Sequence, residues 1–596
     1  MKQKIEMYLD NFNKVISLDD INDYHQFTKE ELFQRLLDHA IIKQELSVQN
    51  NQILTEILKP LEEKKMLTDE ERENVTYFFD HLRKGFESLD NGILFRLSSL
   101  LLNDAIAKDN LDLIVEGIYY YSYYEFVLQS LFPREERNCS WDRILDYVDR
   151  YDELSLEGKK NFLRCYGNRL LAKEYSFELH KEIYNFIKNK QQTDPNPSIP
   201  YDTYLFVIDK NICSGIEVIR SADTEKKSVP EELVEGVYES ACRIYNNISK
   251  AENTSLPIYQ IYEYTYHAIR FHRKMISIDE LLECLKNLTT IKENYTMQQK
   301  TSAIVKMNMY WIYYLRYKYE HPEDIKKEID PTVQEVLRFI RSIKPSDYTR
   351  NMNSDILSFL QIISSYYPYE ELKEFYIKTT TKRHTPTLIH TLSVAELSKI
   401  LTMEMLEKKP EFFIGIVNHY DVEYIKNHKQ EICDLSYQMG LLHDIGKYYC
   451  IPVISINYRR LEDSEFQTIK QHPYCGYRLA RNSVPDPIRD AMLYHHKWHN
   501  QQGGYPLTKE TTINQPLIDI LSIADSIDAA VDFLGRSYAK RKTLRDLVNE
   551  FQDFKDTRYS KDVIELFDNP ELFNKVESFL NEGRHEIGYK AFCKEL

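Results

Sequence analysis

HHKWHNQQGGYP (495–506) closes a series of imidazoles and carboxylates that begins at His390 and runs through His443–Asp444, His472, His495–His496 and Asp525. Neutral imidazoles serve as terminal ligands of divalent cations, and a carboxylate can bridge two of them. A lone histidine is more often a surface or core residue than a ligand, but adjacency changes that reading. His443–Asp444 is followed by Ile445–Gly446–Lys447, which places ligand-type residues at a helix end with a lysine one step on, free to reach an anion. His495–His496 repeats the arrangement before a glycine-containing loop. No comparable cluster occurs elsewhere in the sequence, so any enzymatic function is expected here.

Working outward, helices carry these residues. His390 opens one running through Ala395 and Leu401, and His443 ends one from Glu431. His472 is expected to end a helix from Ser464, and His495 one spanning Pro487–Tyr494. Asp525 falls inside Pro516–Leu534. Upstream the same periodicity continues in pairs. Leu94, Leu97, Leu101 and Ala105 precede an Asp109–Asn110 turn and an apolar run from Leu111 to Leu128. Further pairs fall at Trp141–Ala172, Leu256–Leu288 and Ser302–Ile343. Spacing between pairs varies, which suggests an irregular α-solenoid without the signature of a named repeat. TDPNPSIP (193–200) cannot be helical and reads as a loop between helices. The pattern breaks around Tyr366–Pro368, and TTTKRHTP (379–386) is polar and proline-bounded. The expected division is therefore a helical-repeat region over 1–370 and a catalytic region over 371–596.

Composition agrees. The 596 residues include only 16 Gly against 45 Tyr and 27 Phe, which favours long helices with bulky aromatic packing over hairpin-rich sheets. The aromatic runs Tyr119–Tyr124 and Met309–Tyr319 are read as core. A net charge of −16 disfavours DNA and anionic membranes as partners. No apolar stretch is long enough to span a bilayer and no leader pattern is seen, so a cytoplasmic location is expected. Nine scattered Cys without a CxxC suit reduced thiols.

HDIGK (443–447), HPYCGY (472–477), HHKWHNQQGGYP (495–506) and ADSIDA (524–529), flanked by LEDSEF (461–466) and GRSY (535–538), together resemble the HD-GYP subgroup of HD metal-dependent phosphohydrolases, over roughly 380–560. The resemblance implies an all-α fold: a bundle of about five core helices with additions, here preceded by the helical-repeat region. It also implies hydrolysis of cyclic di-GMP to linear pGpG or GMP in bacterial second-messenger signalling. Carried over position by position, the metal ligands are His390, His443, Asp444, His472, His495, His496 and Asp525. Asp444 is expected to bridge, with His390, His443 and Asp525 on one ion and His472, His495 and His496 on the other. Lys447 and Arg536 match phosphate contacts, Lys447 with a further role beside the leaving oxygen, and Tyr505 lies in the loop shaping the guanine side.

Three positions depart from the family pattern. Pro386 stands where a third-metal glutamate is usual, so two divalent ions, iron or manganese, are expected. Lys497 replaces an acidic residue, and the loop is one residue longer, with Asn500–Gln501 in place of Asp/Asn–Gly. These departures keep open a phosphohydrolase acting on another nucleotide. An inactive scaffold is the remaining reading, opposed by the complete ligand set. For the N-terminal array, a regulatory role with a protein or peptide partner is expected by fold analogy alone.

Overall fold

In a computed structural model of the protein, residues 1–19, 27–84, 90–132, 137, 139–172, 176–224, 226–248, 258–291, 295–343, 350–381, 384–416, 421–480, 484–506, 511–532, 534–535 and 542–595 are described. Among them the regular elements are all helical, and extended pairing is limited to two isolated bridges, Lys497–Gly504 and Lys555–Tyr559. The all-α expectation holds, with a helical N-terminal region preceding the region of the histidine series. No helix among the described residues is long and apolar enough to cross a membrane.

The chain divides into two compact units. One comprises Met1–Ile5 and Glu56–Phe339. Within it, helices pack on their neighbours in sequence: Asn91–Ala107 on Leu111–Leu128, which in turn meets Leu156–Ala172, and Ile258–His272 on Ile278–Leu288. Asp109, with φ of 47°, makes the turn between the first two helices. The proline-rich 194–200 segment links helices Phe177–Thr193 and Tyr201–Cys213, as expected of a loop. Tyr310, Trp311, Tyr313 and Tyr314 are buried, and Tyr264 stacks on Tyr310 with ring centroids 3.8 Å apart, so this aromatic run is core.

The second unit comprises Glu6–Thr55 and Ile340–Leu596. It does not coincide with the 371–596 region read from the sequence, because two N-terminal segments pack into it. On helix Lys29–Glu62, Phe33, Leu36, Leu37 and Ala40 lie against Ile389, Leu534 and Tyr589. Farther along, Asn50 Nδ2 donates to the Tyr458 carbonyl at 3.0 Å, and Arg460 N donates to Asn51 Oδ1 at 2.8 Å. Phe12 meets the Tyr458 ring edge-on. These contacts join residues some 400 positions apart in sequence.

Helix Thr385–Lys408 is the axis of this unit. It is apolar or small on most of its circumference and packs against helices Lys429–Leu442, Gln515–Val531 and Arg584–Glu595. Gly440 allows a close approach to helix Thr385–Lys408: a Cβ there would stand 2.6 Å from the Ala395 Cα.

Candidate metal centre

Five helices deliver the side chains of the histidine series to one buried point. His390 sits in the second turn of Thr385–Lys408, a helix begun by His384 as N-cap and Pro386 in its first turn. His443 is the C-cap of Lys429–Leu442, and Asp444 precedes a 3₁₀ turn, Ile445–Cys450. His495 caps Asp486–Tyr494, and Asp525 lies inside Gln515–Val531. His472 differs from expectation: it begins helix His472–Leu479 and does not end the preceding one, which stops at Ile469. Pro473 explains this, since proline is suited to a first helical turn but cannot donate within a continuing helix.

Gly446 acts otherwise than a helix-terminating turn residue. A Cβ on it would lie 1.9 Å from the His472 carbonyl oxygen and 2.5 Å from Gly476 N. The glycine of HDIGK thus lets the backbone of HPYCGY come against it, and that contact sets where His472 stands.

Asp444 is at the middle, fully buried. Its Oδ2 is 3.2 Å from His390 Nε2 and 3.3 Å from His443 Nε2, while Oδ1 is 3.2 Å from His472 Nε2 and 3.7 Å from His495 Nε2. Asp525 Oδ1 lies 3.1 Å from His390 Nε2, and its Oδ2 lies 3.7 Å from His496 Nδ1. Three sets of ligand-type atoms converge within 4.8 Å of one another: His390, His443 and Asp525; His472, His495 and His496; and His443, Asp444 and His495. The Lys447 ammonium is ion-paired with Asp444, and Tyr505 packs its ring on His496 with centroids 4.6 Å apart. Arg536 lies outside the described residues.

The ring tautomers follow from the partners on the far side. His443 Nδ1 donates to the Gly440 carbonyl at 2.7 Å, His472 Nδ1 to Ile469 at 2.7 Å, and His495 Nδ1 to Ala491 at 2.8 Å. A carbonyl only accepts, so each Nδ1 carries a hydrogen, and each ring turns Nε2 inward, the atom that offers a lone pair when the ring is neutral. His390 is held the same way by a carboxylate: its Nδ1 is 2.7 Å from Asp528 Oδ2. Asp528 is fully buried and is fixed in turn by Arg584, whose Nε donates to Asp528 Oδ1 at 2.8 Å and whose Nη2 donates to Asp532 Oδ1 at 2.8 Å. The sequence reading passed over Asp528. Its signal was present, three residues after Asp525 and so on the same helix face.

Charge in the site is uneven. Burial, with His443 and His472 beside it, pushes His495 down to about 3. Burial likewise lowers His472, and burial with His495 beside it holds His496 well below the usual range. These rings are neutral. Burial opposes protonation of His390 too, but the nearby carboxylates of Asp444, Asp525 and Asp528 outweigh it and raise its pKa well above the ordinary value. Burial disfavours the ionised forms of Asp444 and Asp525, yet the surrounding imidazoles, and Lys447 beside Asp444, keep both carboxyls ionised well below theirs.

The donor set fits divalent cations. His390 Nε2, His443 Nε2 and both Asp444 oxygens are buried without a directed hydrogen bond. The Nε2 atoms of His472 and His495 stand 3.1 Å apart, so two lone pairs face one region.

Residues 387–530 match the family model described as the HD domain. Among curated proteins, a cyclic di-GMP phosphodiesterase of Thermotoga maritima is 34% identical over 133 residues, which are 21% of this chain and 34% of that protein. This chain thus spans about a third of that relative's length. No solved structure matches the chain. The segment that brings together His390, His443, Asp444, His472, His495, His496 and Asp525 is an HD domain.

Proposed function

We propose that the protein is a metal-dependent phosphodiesterase of the HD-GYP type, hydrolysing cyclic di-GMP to pGpG or GMP in bacterial signalling. The observation that carries this reading is the division of Asp444, whose two oxygens face separate pairs of imidazole Nε2 atoms. Such a carboxylate is built to lie between two cations. Similarity to a protein named for cyclic di-GMP hydrolysis supports the substrate.

In this reading His390, His443 and Asp525 hold one ion, His472, His495 and His496 hold the other, and Asp444 is shared. When bound, two divalent cations, iron or manganese, lower the pKa of water and offset the charge of a phosphodiester. The backbone carbonyls of Gly440, Ile469 and Ala491 keep the rings in the tautomer that can coordinate. Burial keeps His472, His495 and His496 unprotonated at neutral pH, so protons do not compete for their lone pairs. Lys447, beside Asp444, is placed to meet a phosphate oxygen and to stabilise the leaving ribose oxygen. Tyr505 packs tilted against His496 and is assigned one wall toward the base, and Arg536 is assigned a phosphate contact.

A second reading, hydrolysis of a different cyclic dinucleotide, is favoured by the substrate loop. Lys497 is buried there, and Gln501 takes φ of 62° where a glycine is usual. The test is to purify the full chain without chelator, measure bound metal, and follow cyclic di-GMP and other cyclic dinucleotides by chromatography. The reading requires about two ions per chain and turnover of cyclic di-GMP, both lost in Asp444→Ala while helical circular dichroism persists. Metal retained by a folded Asp444→Ala protein would remove the bridge and the reading with it.

A further inference from the structure

Lys470 caps the C-terminus of helix Asp463–Ile469, two residues before His472. Its neighbours in sequence offer it no acid. The positions three and four residues before it are Gln467 and Phe466, and those three and four after it are Pro473 and Tyr474. Its Nζ stands instead over two rings, 5.1 Å from the centroid of Phe466 and 6.0 Å from that of Tyr505. Among the described residues no carboxylate is ion-paired with it. Ring faces attract and orient an ammonium through their quadrupole, but they carry no net charge and do not neutralise it as a carboxylate would. In a chain of net charge −16, this positive charge is left available to an anion.

Contacts fix where the cation stands relative to the candidate metal centre. The Tyr505 ring lies 4.6 Å from that of His496 and 6.2 Å from that of His472, centroid to centroid. His472 Nδ1 donates to the carbonyl of Ile469, the residue before Lys470. A row therefore leads outward from the centre: His496, Tyr505, Lys470, Phe466. Phe466 is exposed and Lys470 is partly buried, so the outer end of the row is open to solvent. A ligand seated on the histidine series can reach this ammonium from the solvent side.

A cyclic dinucleotide brings two phosphodiesters, of which one is cleaved at a time. The scissile group belongs beside Asp444 and Lys447, and the other calls for a cation outside the ligand set. We propose that Lys470, held between Phe466 and Tyr505, is a substrate-binding residue that takes the non-scissile phosphodiester of a cyclic dinucleotide. The inference rests on the cyclic-dinucleotide reading above.

The experiment uses the full-length, metal-loaded protein and two ligands. Cyclic di-GMP has two phosphodiesters, and the linear dinucleoside monophosphate GpG keeps both guanines with only one. KM is measured for cyclic di-GMP, and GpG is measured as a competitor of its hydrolysis. Lys470→Met keeps most of the apolar stem and removes the charge. It should raise KM for cyclic di-GMP about tenfold, because a charge-assisted hydrogen bond is lost, and leave Ki for GpG within about twofold. Bound metal should be unchanged, and Lys470→Arg should restore most of the KM. An unchanged KM in Lys470→Met, an equal rise in KM and Ki, loss of metal, or no recovery in Lys470→Arg would each overturn the inference. A wild-type protein that holds metal but neither binds nor cleaves cyclic di-GMP would overturn the substrate reading itself. The first kind of failure leaves wild-type turnover of cyclic di-GMP intact and the second abolishes it, so the two are told apart.

Discussion

Asp528 Oδ2 stands 2.7 Å from His390 Nδ1, and the other oxygen of the same carboxylate accepts from Arg584 Nε at 2.8 Å. A line of polar contacts therefore runs from the C-terminal helix Arg584–Glu595 to a candidate metal ligand, entirely buried. Burial alone would favour a neutral Asp528, but Arg584 and His390 hold its pKa below the ordinary value. The carboxylate fixes the ring orientation of His390 and increases its basicity at Nε2.

Asp528→Ala should accordingly lower affinity at the His390, His443 and Asp525 set by about 10–100-fold, the usual cost of losing an outer partner of a metal-binding histidine. The His472, His495 and His496 set should be affected less. Metal titration with a chelator of known affinity checks this as two separable binding steps. Equal weakening of both steps would show that Asp528 supports the fold of the region and not one ligand.

Gly446→Ala tests the backbone contact on which His472 depends. The added Cβ would meet the His472 carbonyl at 1.9 Å, and backbone cannot swing aside as a side chain can. Overpacking of this kind costs about 1–3 kcal/mol, and the displacement should fall on the candidate ligand set of His472, His495 and His496. The expected result is a lower denaturation midpoint together with loss of one bound metal. Wild-type metal content in Gly446→Ala would mean that the contact yields without moving His472.

How much of this was legible in the sequence follows from how local each signal is. Convergence of the histidine series could be read because most of its members sit at helix ends marked by adjacent pairs and turn residues, as at His443–Asp444 and His495–His496. The start of helix His472–Leu479 was also written locally, in Pro473, although the periodicity upstream suggested the opposite end. Asp528 shares a helix face with Asp525, but a carboxylate whose partners His390 and Arg584 lie 138 and 56 positions away in sequence gives no local hint of either. Residues 6–55 fall in the unit of the histidine series for reasons that are equally remote in sequence. Asn50 and Asn51 look like ordinary exposed helix residues until the backbone of Tyr458 and Arg460, 408 and 409 positions away, is placed against them.

That long-range packing makes its own prediction. Phe33 is buried among Ile389, Leu534 and Tyr589 and meets the His585 and Tyr589 rings edge-on, at centroid distances of 5.2 and 5.6 Å. Phe33→Ala should cost about 3–5 kcal/mol in the unit that contains the candidate metal centre, read as an earlier release of metal during denaturant unfolding. A protein beginning near residue 370 should lose its metal more readily still, since Ile389 and Leu534 would be uncovered. Metal release at the wild-type denaturant concentration in Phe33→Ala would show that residues 6–55 are not part of that cooperative unit.

The last prediction concerns pH and the substrate loop. His499 Nδ1 is 2.8 Å from Asp519 Oδ2, and the loop is held further by His499 N and Asn500 N donating to the carbonyls of Arg558 and Thr557, each at 3.0 Å. The hydrogen bond to Asp519 is the largest influence on His499 and raises its pKa above the ordinary 6.5, against partial burial. A group whose folded pKa is raised gives stability that is fully present below its unfolded pKa and is lost as pH rises through the folded value. The contribution should therefore be complete below about pH 6.5 and fade above it. His499 is a third exposed, so solvent screens the pair and the effect on global stability is small. The loop should respond more than the fold. Expected is a rise in KM for cyclic di-GMP above neutral pH in the wild type, absent in His499→Gln, with metal content constant over the same range. If both proteins show the same KM profile, the His499–Asp519 pair does not hold the loop, and the backbone bonds to residues 557 and 558 suffice on their own.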